Sequence, residues 1–453
     1  MGLANKNELN DEKILSIILI RILKYTASTS IILLGFFFNK FLILVGIGLF
    51  FTNKKLCNIN SLYSILSILY IFHGTYLTNL ISFEWTRLYY LMAILIVIYT
   101  IIKAMIGEKI LRFNRDHYLY IMALILFWGT ISALFSLQVV QSLKNILSVF
   151  LVFVIFYIIP TYFFNNNEKE RHLKYIILPS NMIITSISFI NILYYFNLID
   201  AKLIDSNWTI NGALYRNSNG YGLTIVTILI IMSVFMSENK KISNYIERIS
   251  LFKIYVLSSY LILLLNLIIS GSRAALLGAI VAFIPKMLKR KLQIIGLIGI
   301  LGLIFLKANN SLLLLKKISR GTMSGRTKIW IYTFNKVIAK YPFLGIGSGA
   351  SNDHIGVFGG LSPHNSYLNV TMQIGLIGFM FWILIFGLIF YKSSKLQANK
   401  NIYIFAILGF MAFSAFESTL FGGMGQRMSM FWTIVMLIEH NLKIKKHNTG
   451  GIQ

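Results

Sequence analysis

Long apolar runs with almost no charged residues follow one another along most of this chain, and they constrain its fold more than any other feature. A helix needs about 20 mostly apolar residues to cross the hydrocarbon core of a bilayer. The runs are continuous rather than alternating, which excludes a closed β-barrel. With 57% hydrophobic and only 13% charged residues, the 453-residue chain also lacks the charged surface of a soluble protein of that size. We therefore predict an all-α integral membrane protein.

The apolar runs predict about 14 transmembrane helices, within a range of about 12 to 14. The first run is interpreted as a retained span rather than a signal peptide, because no small-residue cleavage site follows it. The predicted spans are 14–34, 38–52, 61–82, 88–106, 118–134, 144–164, 174–196, 220–238, 254–270, 273–288, 292–306, 367–391, 401–417 and 428–441.

Basic residues are concentrated in short connections between the spans, and they predict the orientation of the chain. The net charge of +27 comes from clusters such as Lys289-Arg290-Lys291, a pattern typical of loops held against anionic lipid rather than of nucleic-acid binding. The positive-inside rule places these basic connections in the cytoplasm and, by alternation, both termini with them. The connections predicted to be cytoplasmic are 107–117, 239–253, 286–291 and 392–400, whereas 83–87, 135–143 and 197–219 are poor in basic residues and are predicted to lie outside.

One predicted connection, residues 307–366, is far longer than the others and lies on the outer side. Structureless loops of this length are usually functional. Its sequence RTKIWIYTFNKVIAKYP, from Arg326, predicts an amphipathic helix that stops before Pro342. Two interpretations remain open: a helix lying on the membrane surface, or a lid helix packed on the bundle. The predicted apolar side carries Ile329, Trp330, Thr333, Phe334, Val337 and Ile338, and the other side Lys328, Lys336 and Lys340.

The chain thus divides into four predicted regions. They are the N-terminal transmembrane helices (1–196), transmembrane helices with the first arginine motifs (197–306), the large extracytoplasmic loop (307–366), and the C-terminal transmembrane helices with a cytoplasmic tail (367–453).

The candidate catalytic and ligand-binding residues all fall at the predicted outer end of the bundle. Several arginines on one face indicate an anionic ligand with more than one oxygen, because guanidinium groups bind phosphate in a bidentate manner. Structural explanations compete with this one. Arginines at helix ends commonly extend to the membrane interface. Glu417 and Arg427 can form a purely structural ion pair. Arg273, however, lies in a turn predicted to be too short to reach water, which favours a functional role. The full set is Arg216, Arg273, Arg326, His364, Glu417 and Arg427.

His364 is the best candidate for a general base, since an imidazole titrates near neutral pH and accepts a hydroxyl proton. Its neighbours Asn365, Ser366 and Tyr367 are predicted to orient the ring and a substrate hydroxyl, while His354 is a rival in the same loop. The glycine-rich run 345–352 is predicted to form a backbone nest for an anion. No carboxylate cluster suited to a divalent metal is evident on this side, which favours a metal-independent mechanism.

An ordered set of motifs over roughly residues 210–430 resembles the O-antigen ligase/polymerase superfamily of bacterial integral-membrane enzymes. The first, SGSRAALLG, contains Arg273, and it is followed by GRxxxW from Arg326. PxxGIGSG and PHNSYL complete the set, and RNSNGYG resembles a looser Arg…Asn-Gly stretch of the family.

The resemblance implies a metal-independent, inverting glycosyltransferase of the GT-C type in the bacterial cytoplasmic membrane, with its active site facing the periplasm. The donor and acceptor would be oligosaccharides linked to undecaprenyl pyrophosphate, with membrane lipid and a chain-length regulator as further partners, and no nucleic acid or cofactor. Carried over by motif, the catalytic residues would be Arg273, Arg326 and His364, and the substrate-binding residues Arg216, Asn219, Asn365, Tyr367 and Glu417.

Within the resemblance, a repeat-unit polymerase for O-antigen or capsular polysaccharide is favoured over a ligase that transfers the finished glycan to a lipid A core. The preference follows from the diversity of the polymerase branch. A flippase for lipid-linked oligosaccharides is an alternative of another class. A transporter should place ionisable residues near the membrane midplane, whereas here they collect at one end.

Overall fold

The computed structural model describes most of the chain from Trp85 onwards. The described residues are 85–106, 116–164, 166–200, 218–238, 250–289, 326–348, 363–396, 400–418 and 426–449, together with Tyr63, Leu66, Thr209, Ala213 and Tyr215. Across these ranges the regular structure is helical, with one isolated β-bridge between Thr209 and Ala213.

Eleven described helices form the bundle. They are α1 (Trp85–Ile106), α2 (His117–Leu134), α3 (Val139–Phe153), α4 (Asn166–Tyr195), α5 (Ser218–Glu238), α6 (Ser250–Ile269), α7 (Arg273–Lys289), α8 (Arg326–Tyr332), α9 (Ser366–Ser394), α10 (Lys400–Ser414) and α11 (Gln426–Thr449). Two of them continue as π-helical segments, α3 through Val154–Phe163 and α8 through Thr333–Ile338.

These helices agree with the predicted spans wherever the two can be compared. Ten predicted runs, from 88–106 to 428–441, coincide with α1 to α7 and α9 to α11. Five helical stretches within the described ranges are long and apolar enough to cross a bilayer: His117–Leu134, Val139–Phe163, Ile176–Tyr195, Ser218–Ser237 and Ser366–Ser394. The runs 14–34, 38–52, 61–82 and 292–306 lie outside the described residues, apart from Tyr63 and Leu66. The helical architecture fits an all-α membrane protein.

Helix α5 forms the centre of the bundle. Every side chain from Tyr221 to Phe235 is buried, and α4, α6, α7, α10 and α11 pack around it. The outer helices instead expose large apolar side chains such as Leu91, Phe127 and Met380. A helix that is apolar all round is typical of a membrane bundle, where lipid rather than water covers the outer surface.

Polar side chains inside the bundle join α4, α5 and α6. The hydroxyl of Tyr221 donates to Oδ1 of Asn266 at 2.9 Å, and Nδ2 of Asn266 donates to the carbonyl of Ser188 at 2.8 Å. Nδ2 of Asn191 donates to the same Asn266 oxygen at 3.0 Å. Such hydrogen bonds between transmembrane helices each contribute roughly 0.6 kcal/mol, with a maximum near 1.7 kcal/mol.

Helices α7 and α10 cross at very close range, because glycines face each other. A Cβ atom built on Gly409 would lie 2.7 Å from Cβ of Ala282 and 2.8 Å from the carbonyl oxygen of Gly278. Small residues permit such close backbone approach in membranes. The crossing brings the start of α7, where Arg273 lies, and the end of α10, which leads to Glu417, to the same end of the bundle.

Helix α9 is interrupted at Ile374 and Gly375, where the backbone leaves the helical conformation. The segment 342–347 occupies the gap. The amide of Ile346 donates to the carbonyl of Met372 and that of Gly347 to the carbonyl of Gln373, both at 2.9 Å. In return, the amide of Leu376 donates to the carbonyl of Pro342 at 2.7 Å. Irregular backbone at membrane depth is tolerated where protein satisfies its polar groups in this way.

Replacing Gly409 with alanine is expected to destabilise the protein. The added methyl group has no space between α7 and α10, and overpacking of this kind typically costs about 1–3 kcal/mol. The thermal unfolding midpoint of the purified protein in detergent measures the effect. Gly387→Ala in α9 is the matched control, since nothing lies within 4 Å of its added Cβ, and it should leave the midpoint unchanged or slightly raised. Equal midpoints for the two variants would contradict the packing argument.

Candidate active site

Glu417 is the centre of the polar cluster at the predicted outer end. It lies in the turn after α10 and is 8% exposed. Its Oε1 accepts hydrogen bonds from Nη2 of Arg326 at 3.0 Å and from Nδ2 of Asn219 at 2.7 Å. Its Oε2 lies 3.1 Å from Nδ1 of His364. One carboxylate therefore joins the start of α5, the start of α8, the turn before α9 and the turn after α10.

The backbone of the Glu417 turn is held by two of the same segments. Nη1 of Arg326 donates to the carbonyl of Phe416 at 2.7 Å, so that its guanidinium group bridges main chain and carboxylate. The hydroxyl of Ser366 donates to the carbonyl of Glu417 at 2.6 Å. These contacts leave the turn little freedom to move relative to α8 and α9.

Opposing influences set the charge of Glu417. Burial raises the pKa of its carboxyl group, but the hydrogen bond and charge of His364, followed by the charges of Arg326 and Arg427, outweigh burial and lower the pKa below its usual value. Glu417 is therefore a carboxylate at neutral pH. The alternative prediction, a structural ion pair between Glu417 and Arg427, is not what the geometry shows. The ion pairs of the Glu417 carboxylate within 4 Å are with Arg326 and His364.

The backbone around His364 is constrained in an uncommon conformation. Its φ of 47° lies in the left-handed region, which few residues other than glycine adopt. On one side, Nε1 of Trp330 donates to the carbonyl of Pro363 at 2.6 Å. On the other, Oδ1 of Asn365 caps α9 by accepting from the amides of Tyr367 and Leu368. Strained conformations held by their surroundings tend to cluster at functional sites.

The neighbours of His364 have roles that the sequence does not reveal. Asn365 was predicted to orient the ring, but its side-chain oxygen caps α9. The hydroxyl of Tyr367 donates to the carbonyl of Met411 at 2.8 Å and joins α9 to α10. Nδ1 of the imidazole instead contacts Oε2 of Glu417, which lies 53 residues from His364 along the chain. No local pattern connects the two, so the sequence offered no signal for this pair. A role of Asn365 and Tyr367 in binding substrate stays a prediction.

Arg273 begins α7 directly after the tight turn Ser270–Ser272, in which Gly271 has a φ of 61°. The side chain of Arg273 is exposed at the surface of the bundle. The expectation that the turn is too short for it to reach water stays a prediction. The turn packs against α5, where a Cβ on Gly222 would lie 2.7 Å from Cβ of Ser272. This contact places Arg273 and Asn219 at the same end of two adjoining helices.

The helix of the long loop packs on the bundle, which favours the lid interpretation over a helix lying only on the membrane. Ile329, Val337 and Ile338 are buried in one cluster with Ile346 and with Met372 of α9. Phe334 was predicted for the same side but is 58% exposed. From Thr333 the helix changes to π-type spacing, which alters the angular position of the following side chains. The helix also ends at Ile338, earlier than Pro342.

The predicted anion-binding nest is wrong for residues 345–347. The amides of Gly345, Ile346 and Gly347 donate to the carbonyls of Tyr341, Met372 and Gln373, so that they are not available to an anion. Gly345 has a φ of 69°, and a Cβ there would lie 2.6 Å from the carbonyl oxygen of Met372. The glycines permit close approach to α9. Residues 349–352 of the same run lie outside the described residues, as do Arg216 and His354.

An apolar cavity of about 240 Å³ lies between α9 and α10, next to the polar cluster. Tyr367, three residues after His364, is at its edge. The lining residues are Tyr367, Val370, Phe379, Trp382, Ile383, Phe386 and Met411.

The arrangement can support proton transfer beside an anion. If the Nδ1–H of His364 donates to Glu417, Nε2 carries the lone pair that accepts a proton. The side chain of His364 is 37% exposed and therefore accessible, whereas those of Glu417 and Arg326 are 10% and 20% exposed. Arg326 and Arg273 supply positive charge at the same end of the bundle.

Comparison with known proteins agrees with the motifs. Residues 258–383 match the family model described as O-Antigen ligase, a range that contains Arg273, Arg326 and His364. A protein of Rickettsia typhi named "Putative polysaccharide ligase RT0347" is 24% identical over 388 residues, which cover 78% of this chain and 89% of the relative. Proteins of Rickettsia conorii and Rickettsia felis with similar names are 26% and 24% identical, each over 60% of this chain and 67% of the relative. These matches confirm the predicted resemblance of this chain to the O-antigen ligase/polymerase superfamily.

Proposed function

We propose that this protein is a membrane glycosyltransferase that transfers a glycan from a polyprenyl-pyrophosphate donor to an acceptor hydroxyl, and that it acts as a polysaccharide ligase. The observation that carries the proposal is the hydrogen-bonded set His364–Glu417–Arg326. It combines an oriented imidazole with guanidinium charge, and both His364 and Arg326 lie within residues 258–383, which match the O-Antigen ligase family model.

In the proposed reaction, Nε2 of His364 takes the proton of the acceptor hydroxyl as its oxygen attacks the anomeric carbon of the donor. The bond from that carbon to the pyrophosphate oxygen breaks, and the pyrophosphate leaves with its lipid. Attack from the side opposite the leaving group inverts the anomeric centre. Glu417 keeps the ring in the required tautomer and stabilises the imidazolium that forms, as a carboxylate partner does in other His-based sites.

Arg326 and Arg273 have different parts in this proposal. Arg326 is already bonded to Phe416 and Glu417, so we assign it first to positioning the carboxylate. Arg273 is exposed at the start of α7, and we assign it to the pyrophosphate, with Arg216 in support. Guanidinium groups placed where charge develops on a leaving group typically accelerate reactions by about 10²–10³-fold each. The apolar cavity beside Tyr367 would take part of the polyprenyl chain.

The choice of ligase over polymerase rests on the relatives. All three Rickettsia proteins are named as polysaccharide ligases, which fits the ligase better than the polymerase favoured from the motifs. Disruption of the gene distinguishes the two activities. Accumulation of long lipid-linked chains supports the ligase, whereas surface glycans with a single repeat unit would overturn it in favour of the polymerase.

Purified protein with a synthetic lipid-linked oligosaccharide and an acceptor is expected to release polyprenyl pyrophosphate. Movement of intact substrate across a vesicle membrane without release would contradict the enzyme and support the flippase.

His364→Ala and Glu417→Gln are expected to reduce transfer strongly, the first by loss of the base and the second by loss of its orientation. General-base catalysis contributes about 10²–10⁴-fold in rate. Release of polyprenyl pyrophosphate measures both variants. Lys328→Ala, an exposed change on α8, is the control and should retain full activity. Unchanged rates for both site variants in folded protein would remove these residues from the mechanism.

Arg326→Lys is expected to fail despite the retained charge, because one ammonium group cannot reproduce the fork that binds Phe416 and Glu417 together. Arg273→Lys should lose less, since an exposed arginine that contacts phosphate is partly replaced by a point charge. The ratio of the two residual rates is the measurement. A greater loss for Arg273→Lys than for Arg326→Lys would reverse the two assigned roles.

A further inference from the structure

The lid helix, α8 with its π-helical continuation, has an exposed apolar flank beside the side that packs on the bundle. Ile329 and Val337 belong to the packed side and are buried. Ile331 and Phe334 lie next to that side around the helix and are 56% and 58% exposed. Phe343, in the turn that follows, is 62% exposed. A group of large exposed apolar side chains on a helix that is already packed indicates a second contact surface.

The other exposed flank of the lid helix is basic. Lys336 and Lys340 are both exposed and lie four residues apart. The ammonium group of Lys340 lies over the ring of Tyr341 at 5.4 Å from the centroid. At helical spacing, the buried, apolar and basic sides follow one another around the helix. An apolar side next to a basic side is typical of a helix that lies in the membrane interface.

The attachment of the lid helix to the bundle sets its depth. Helix α2 has 18 residues, or about 27 Å of helix, which is close to the hydrocarbon thickness of about 30 Å. Near the predicted outer end of α2, the hydroxyl of Ser132 donates to the carbonyl of Gln373 at 2.8 Å, and Nε1 of Trp128 donates to that of Ile374 at 3.0 Å. The interruption of α9, and the segment 342–347 that fills it, therefore lie at the outer boundary of the hydrocarbon.

The apolar flank is continuous with the apolar outer surface of the bundle. Leu134 at the end of α2 and Phe135 in the next turn are 60% and 76% exposed. Leu376, directly after the interruption of α9, is 42% exposed, and its amide donates to the carbonyl of Pro342 at 2.7 Å. Phe343 follows Pro342 in the chain, so that it lies at the same level as these side chains. The exposed turn after the lid helix thus joins the surface that lipid covers on α2 and α9.

We propose that the lid helix is seated in the outer leaflet of the membrane and that its partner there is the phospholipid surface. Ile331 and Phe334 enter the boundary between headgroups and acyl chains, and Lys336 and Lys340 extend to the lipid phosphates. Lysine side chains suit this place because they bury their apolar stems and keep the ammonium group in water. The lid helix is then held from two sides, by the bundle and by lipid. The seat does not depend on the proposed reaction.

The test places one fluorescent label on the lid helix of the full-length protein in phosphatidylcholine nanodiscs. Cys57 is the single cysteine of the sequence, so Cys57→Ser with Phe334→Cys gives one labelling position on the apolar flank. Cys57→Ser with Lys336→Cys gives the matched position on the basic flank. A lipid that carries a nitroxide on the acyl chain near the headgroup is expected to quench a bimane label at position 334 more than at position 336. Aqueous iodide is expected to do the reverse. Ile331→Cys is a second position on the apolar flank and should respond as position 334 does.

Three results would overturn the proposal. If iodide but not the nitroxide lipid quenches the label at positions 331 and 334, the apolar flank faces water. If neither quencher reaches these positions, protein covers the flank, for example a second copy of the chain. If positions 334 and 336 respond alike to both quenchers, the helix has no oriented contact with the membrane.

Discussion

The carboxylate of Glu417 is the interaction on which the candidate site depends. Three segments that are distant from Glu417 in the sequence meet at this group, and each is held there by a different element of the fold. Asn219 is brought by the central helix α5, Arg326 by the helix of the long loop, and His364 by a strained turn. A buried carboxylate requires opposite charge and hydrogen-bond donors, and meeting that requirement assembles the site. Structure and proposed chemistry are thus linked through one group, because the carboxylate that these donors stabilise is also the one that would orient His364 as the base.

The membrane explains why this polar cluster can be so compact. Lipid provides little attraction between apolar helices, so close contact depends on small residues and on internal hydrogen bonds. The Gly278–Gly409 crossing and the Tyr221–Asn266 network supply these in the interior. They fix the ends of α5, α7 and α10, and with them the positions of Asn219, Arg273 and Glu417. The chemistry at the end of the bundle is therefore set by packing well inside it.

The helices could be predicted because a span in lipid must satisfy its own backbone, which leaves a long apolar run few alternatives. Arg326 and His364 could be found because charge and imidazole are rare in such a chain. The partnership of Glu417 with His364 could not, since it depends on how α9 and α10 pack. Gly345 and Gly347 are a second case in which the sequence does not identify the partner. Glycine in a sequence signals close approach, but it does not say whether an anion or a neighbouring backbone approaches, and here it is α9. Arg273 was predicted at the same end of the bundle as Glu417, where the structure has it, yet its exposure depends on the conformation of one short turn.

The interruption of α9 has a consequence for how the protein is made. The carbonyl of Met372 finds its donor in Ile346, and that of Gln373 in Gly347 and in the hydroxyl of Ser132 on α2. A newly inserted α9 would therefore expose the Met372 carbonyl to lipid, unpaired, until the preceding loop returns to the bundle. Biogenesis of this helix and docking of the loop are in this sense one event. The lid helix, which shares the buried cluster of Ile346 and Met372, is carried into place by the same step that completes the membrane span.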